Sequence, residues 1–142
     1  MSAWRILVGC LFIVLGIYLA GCGGGKSDRF AVEGKITLDG QPVETGTIML
    51  IPVEDAQGKA VKVYTEIKGG HYAFDSNNGP GSGIYKVVIS WKRKTGRQIP
   101  SGDPPNTTEE TVEMIPASYN SQTTLTRDIK GNTQLDFPLS KR

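Results

Sequence analysis

Gly34-Lys35-Ile36-Thr37-Leu38-Asp39-Gly40-Gln41-Pro42-Val43-Glu44-Thr45-Gly46-Thr47-Ile48 is the stretch whose reading decides the fold. Ile36 and Leu38 alternate with Lys35 and Thr37, and a period of two places successive side chains on opposite faces of an extended strand. Asp39-Gly40 then supplies the positive φ angles that a tight hairpin or bulge requires. Pro42, with its fixed φ and missing N–H, suits the loop that leads into the next strand. The local reading is strand, turn, strand.

The same pattern extends outward in both directions. Strands are expected at about Phe30–Leu38, Gly46–Ile51, Ala60–Ile67, His71–Phe74, Ile84–Trp91, Thr123–Ile129 and Thr133–Leu139. Val61, Val63, Thr65 and Ile67 share one face of the third, with Lys62, Tyr64 and Glu66 on the other. Tyr85, Val87, Ile89 and Trp91 oppose Lys86, Val88 and Ser90, while Leu135, Phe137 and Leu139 give the last strand its inward side. Gly69-Gly70 joins the third and fourth strands. No window after Cys22 repeats apolar residues at helical spacing behind a cap. Seven short strands with frequent turn signals predict an all-β fold, a seven-stranded antiparallel Greek-key β-sandwich. The segment at about 93–118 holds Pro100, Pro104, Pro105 and Pro116, is mostly polar and reads as a long loop. A short strand or turn around Thr111–Ile115 interrupts it.

Ahead of this domain, Arg5 precedes an unbroken apolar run, Ile6 to Ala20, which has the layout of a secretory signal. A membrane-spanning helix takes about 20 apolar residues; this run is shorter and contains Gly9 and Gly16. It ends in Leu19-Ala20-Gly21-Cys22, which resembles the lipobox of bacterial lipoproteins. That resemblance implies cleavage between Gly21 and Cys22, acylation of the Cys22 thiol, and membrane lipid as a partner. An uncleaved anchor and an ordinary signal peptide are the alternative readings, opposed respectively by the length of the run and by the placement of the cysteine. Two or more acyl chains anchor stably where one binds marginally. The expected organisation is a signal at 1–21, a lipidated cysteine with a flexible glycine-rich tether at 22–29, and one domain at 30–142. The expected location is the bacterial cell envelope, periplasmic or on the outer surface.

Composition narrows the function classes. Of the 2 cysteines, Cys10 lies in the signal and Cys22 would be acylated, so neither a disulfide framework nor a thiolate metal site is expected in the domain. Loss of Arg5 lowers a formal charge of +2 by one, and nothing in that balance points to nucleic acid. Lys92-Arg93-Lys94 with Arg97, and Glu109-Glu110 with Glu113, read as solvated charged loop faces.

Gly34 to Ile48 resembles the opening of carboxypeptidase-regulatory-like, transthyretin-like domains. Gly70-His71-Tyr72-Ala73-Phe74 and Gly83-Ile84-Tyr85-Lys86-Val87-Val88-Ile89 look like the later glycine-led aromatic strands of that family. With the lipobox, Ile115-Pro116-Ala117-Ser118-Tyr119-Asn120 and Leu135-Asp136-Phe137-Pro138-Leu139, the chain is similar to small lipoproteins of planctomycete-like bacteria. The resemblance implies a prealbumin-like sandwich acting as an accessory or surface module. Glu66-Ile67-Lys68-Gly69-Gly70 departs from the acidic turn carried by many such domains, which weakens a cation site there.

Catalytic constellations are not legible. Hydrolysis of 5-hydroxyisourate, known on transthyretin-like folds, resembles a site with several histidines and a Tyr-Arg-Gly-Ser tail; this chain has 1 histidine, His71, and ends Leu139-Ser140-Lys141-Arg142. A serine nucleophile needs a base within reach, and His71 is the sole candidate. Zinc ligands do not cluster, and calcium would need loops to gather scattered residues such as Asp39, Asp75 and Asp136. The Gly79-Pro80-Gly81-Ser82-Gly83 run lacks the lysine and helix of a phosphate loop. Tyr85 and Trp91 share the core-facing parity, which leaves Tyr64 and Tyr119 as the candidate contact surface. The expectation is therefore a non-enzymatic, cofactor-free envelope module with a structural or protein-interaction role; carbohydrate binding is the alternative.

Overall fold

The computed structural model describes residues 29–53, 61–102 and 106–141. The expectations for the signal, for cleavage after Gly21, for acylation of Cys22, and for a strand start at Ala60 lie outside those residues. The described chain is all-β and sandwich-like. Its strands are β1 (Val32–Leu38), β2 (Gln41–Pro42), β3 (Thr45–Pro52), β4 (Val63–Lys68), β5 (His71–Phe74), β6 (Gly83–Ser90), β7 (Lys92–Pro100), β8 (Thr107–Glu113), β9 (Thr126–Ile129), β10 (Thr133–Gln134) and β11 (Phe137–Leu139), with a 3₁₀ turn at Ala117–Tyr119.

The main sheet runs β10-β1-β5-β4-β3-β6-β9, with β2 and β11 also on β1. Most pairings are antiparallel, but β10 and β11 lie parallel to β1, which corrects the wholly antiparallel expectation. Both hairpin turns named from sequence have the conformation that their residues allow: Asp39 and Gly40 at φ 50° and 81°, Gly69 and Gly70 at 56° and 79°. Positive φ at both central positions is the two-residue turn that matches strand twist.

Period-two alternation does the burying. Val32, Ile36 and Leu38 of β1, Tyr72 and Phe74 of β5, and Phe137 and Leu139 of β11 share one cluster with Ile48, Leu50, Val63, Ile67, Tyr85, Val87, Ile89 and Ile129. Each such side chain contributes roughly 1.5–3 kcal/mol on burial. Val61, expected on the inward face of the third strand, is instead 48% exposed. It lies before β4 begins, beyond the last rung that pairs Leu50 with Val63; the β3 residue that would face it in that register, Pro52, has no N–H to continue the ladder.

Two strands expected from sequence are interrupted for identifiable reasons. Thr133–Leu139 splits at Leu135-Asp136, where the Tyr72 hydroxyl donates to the Leu135 carbonyl (2.7 Å) and Asp136 Oδ1 accepts the Lys35 N–H (2.8 Å). Gly34 permits this approach, because a Cβ there would lie 2.0 Å from the Leu135 carbonyl oxygen. The strand expected from Thr123 starts at Thr126. Thr123 is buried, and its hydroxyl donates to the Val87 carbonyl (2.8 Å) in place of a regular ladder bond.

The segment read as a loop at 93–118 is largely a two-stranded ribbon, β7 paired with β8. Its residues are nearly all solvent-facing on both sides, so no apolar alternation marks it as strand. The two charge clusters face each other across it: Lys94 pairs with Glu109 (2.9 Å) and Arg97 with Glu110 (3.6 Å). Glu113 ties the ribbon to the body. Its carboxylate accepts the Ser90 hydroxyl (2.6 Å), the Trp91 N–H (2.8 Å) and the Ile115 N–H (3.0 Å). Partial burial acts to raise the Glu113 pKa, but these hydrogen bonds and the charge of Lys92 outweigh it and hold the carboxyl below its ordinary value.

Candidate functional site

Beyond the Gly69-Gly70 turn, β4 and β5 pair only at Lys68 and His71 and then splay apart. The opening between them is a groove of about 670 Å³, a size common among ligand pockets. Tyr64, Glu66 and Lys68 line it from β4, His71 and Ala73 from β5, and Glu33 and Lys35 from β1, with Gln134 at one end. Tyr64 is 68% exposed, and its ring is the main aromatic surface offered to the groove. The outward parity that singled it out in the sequence follows from its place between the buried Val63 and the half-buried Thr65.

Glu66 and Lys68, two residues apart on the same face of β4, form an ion pair of 2.8 Å. The hydrogen bond and opposite charge lower the Glu66 pKa and raise that of Lys68. Both side chains are exposed, so the pair shapes the groove more than it stabilises the fold. His71 Nδ1 lies 3.0 Å from the Gly69 carbonyl oxygen. A carbonyl can only accept, so this bond places the ring proton on Nδ1 and leaves Nε2 as the acceptor of the neutral ring. Tyr72 is buried beneath, and burial, aided by the charge of Asp136 and opposed by Arg127, pushes its phenol pKa upward.

Tyr119, the second tyrosine expected at a contact surface, is half-buried against the core, and its hydroxyl accepts a long bond from the Ser140 N–H (3.4 Å). It takes no part in the groove at Tyr64. Tyr85 is fully buried and Trp91 packs partly buried against the core, as their parity implied. Cys22 and Gly21 lie outside the described residues. Glu33, Lys35 and Gln134 were not singled out from sequence; alternation says that they face outward, but only the splaying of β4 and β5 makes a groove of them.

Among the described residues no group of three or more His, Cys, Asp or Glu side chains is placed to hold a metal ion. None of their helices is long and apolar enough to cross a membrane. The arrangement presents an aromatic face, carboxylate, ammonium and amide groups, and exposed strand backbone. Such a surface is suited to gripping an extended or ring-shaped ligand. No family model, curated protein or solved structure matches the chain.

Proposed function

We propose that this protein is a non-catalytic, lipid-anchored module of the bacterial cell envelope with a protein-interaction role. Its body would be a seven-stranded Greek-key sandwich of the transthyretin-like type, held to a membrane through acylated Cys22 on a glycine-rich tether. The groove at Tyr64 carries the interaction part of this reading, because it is an open recess on a packed β body. The apolar run ending in Leu19-Ala20-Gly21-Cys22 supports the anchor.

Two linked measurements test the reading. Cys22→Ser should move the protein from the membrane to the soluble fraction while the domain stays folded; unchanged retention refutes the lipid anchor. A photo-crosslinking residue at position 64 should capture a discrete envelope protein in cells. Capture of nothing refutes the interaction role.

Carbohydrate binding is the second reading, favoured by the exposed ring of Tyr64 beside Gln134, Glu33 and Lys68. A flat aromatic face with polar neighbours suits a sugar ring. Retention of a defined glycan that is lost in Tyr64→Ala would move the groove to this reading.

A further inference from the structure

We infer that the groove at Tyr64 is a strand-docking slot, in which an extended segment of a partner protein pairs with the open backbone edge of β4. The inference rests on the protein-interaction reading and names the chemistry of the partner.

The direction of each backbone group in β4 and β5 follows from two hydrogen bonds. Gly69 N–H donates to the Glu44 carbonyl (2.7 Å), in register with the β3 and β4 pairing of Thr45 with Lys68. In an antiparallel ladder alternate residues point their N–H and C=O to the same neighbour. Ile67, Thr65 and Val63 therefore bond to β3, while Lys68, Glu66 and Tyr64 point toward β5. On the other side, Ile36 N–H donates to the Gly70 carbonyl (2.8 Å), in register with Gly34 opposite Tyr72 and Val32 opposite Phe74. Tyr72 and Phe74 thus bond to β1, which leaves His71 and Ala73 pointing toward β4. Lys68 and His71 pair with each other, and there the ladder between β4 and β5 stops.

Consequently the backbone groups of Tyr64, Glu66 and Ala73 face the groove with no ladder partner among the described residues. All three residues are exposed. An unpaired strand edge is a template for another strand, and addition of an extended peptide to such an edge is a recurrent recognition mode. A glycan has no matching row of alternating amide donors and acceptors, so the geometry favours peptide over sugar. Side chains on the incoming strand alternate. The residue opposite Tyr64 would be β-branched or aromatic, the kind that packs best across strands against a tyrosine.

Hydrogen exchange resolved by NMR, on the full-length protein in detergent micelles, reads the edge directly. In the free protein the Tyr64, Glu66 and Ala73 amides should exchange at least tenfold faster than those of Thr65, Ile67 and Phe74. Equal protection of both sets overturns the inference. Protection that grows with protein concentration gives the edge to a second copy and also overturns it.

A displayed library of random heptapeptides, panned on the same protein, supplies the probe. Enriched peptides should carry alternating β-branched or aromatic residues and slow exchange at those three amides. An absence of enrichment, or binding that leaves the amides unprotected, refutes strand docking, as does a glycan that shifts Tyr64 side-chain signals alone. Glu66→Pro removes an N–H that β3 does not use and should weaken peptide binding at least tenfold. Tyr64→Ala, on an exposed side chain, should do the same and serves if the proline variant does not fold; undiminished affinity in Tyr64→Ala overturns the docking geometry. A partner crosslinked from position 64 without amide protection would keep the interaction role and discard strand docking, so the two failures are separable.

Discussion

Removal of the Glu113 carboxylate should loosen the ribbon formed by Lys92–Pro100 and Thr107–Glu113 from the body of the protein. A two-stranded ribbon is marginal by itself, and this one is solvated on both faces. Beside the backbone bond from the Met114 N–H to the Trp91 carbonyl (2.9 Å), the side-chain attachment is the three bonds that Glu113 accepts from Ser90, Trp91 and Ile115. Hydrogen bonds to charged groups contribute about 1.5–3 kcal/mol each, but the bonds from the half-buried Ser90 and Trp91 are open to solvent at the exposed carboxylate and belong at or below the lower end. The third, on the buried Ile115, would be stranded by truncation. Glu113→Ala should therefore cost about 2–3 kcal/mol on those grounds. Glu113→Gln keeps an oxygen for the two N–H donors and an amide that can donate to the Ser90 hydroxyl, so it should cost under about 1 kcal/mol.

The pH dependence has a definite sign. The folded-state pKa of Glu113 is depressed, so its contribution is present above the ordinary carboxylate value of about 4.3 and is lost as pH falls through the lower, folded value. Urea unfolding followed by Trp91 fluorescence, in a Trp4→Phe background that leaves one indole, measures both effects. As pH falls from about 4.3 through the lower, folded-state pKa, the wild type should lose the advantage it holds over Glu113→Gln. Equal losses in the Ala and Gln variants, or a wild-type advantage unchanged at low pH, would refute the clasp.

Gly34→Ala should destabilise severely, by several kcal/mol, since its Cβ would meet the Leu135 backbone oxygen at 2.0 Å, whereas Gly102→Ala, with nothing within 4 Å, should stay within about 0.5 kcal/mol; thermal unfolding compares the two. Tyr72→Phe should cost about 1 kcal/mol by removing the donor to the Leu135 carbonyl, and an unchanged denaturation midpoint would contradict that bond.

Alternation is local, and where one face of a strand meets the core it is readable directly. Ile36 and Leu38, or Tyr85, Val87 and Ile89, are inward in the sequence and inward in the fold. The Asp39-Gly40 and Gly69-Gly70 turns were equally legible, because few other residue pairs adopt two successive positive φ angles. The ribbon was not. With water on both faces, Lys92–Pro100 has no reason to alternate, and its Lys94, Arg97, Glu109 and Glu110 side chains look like loop charges until the strands lie side by side. Tyr64 was legible as an outward aromatic, whereas Tyr119 was not legible as half-buried, since its environment comes from residues distant in sequence, such as Ser140.

By itself the sequence determined the all-β class, the main turns, most of the inward positions, and the lipobox-like Leu19-Ala20-Gly21-Cys22 on which the anchor reading stands. Each of these depends on neighbouring residues and on the stereochemistry of one short stretch. Tertiary structure alone decided the parallel return of Thr133–Gln134 and Phe137–Leu139 to Val32–Leu38, the clasp at Glu113, and the groove where Val63–Lys68 leaves His71–Phe74. Those features arise when strands far apart in the chain pair, diverge or leave an edge open, and no local periodicity records which neighbour a strand will have.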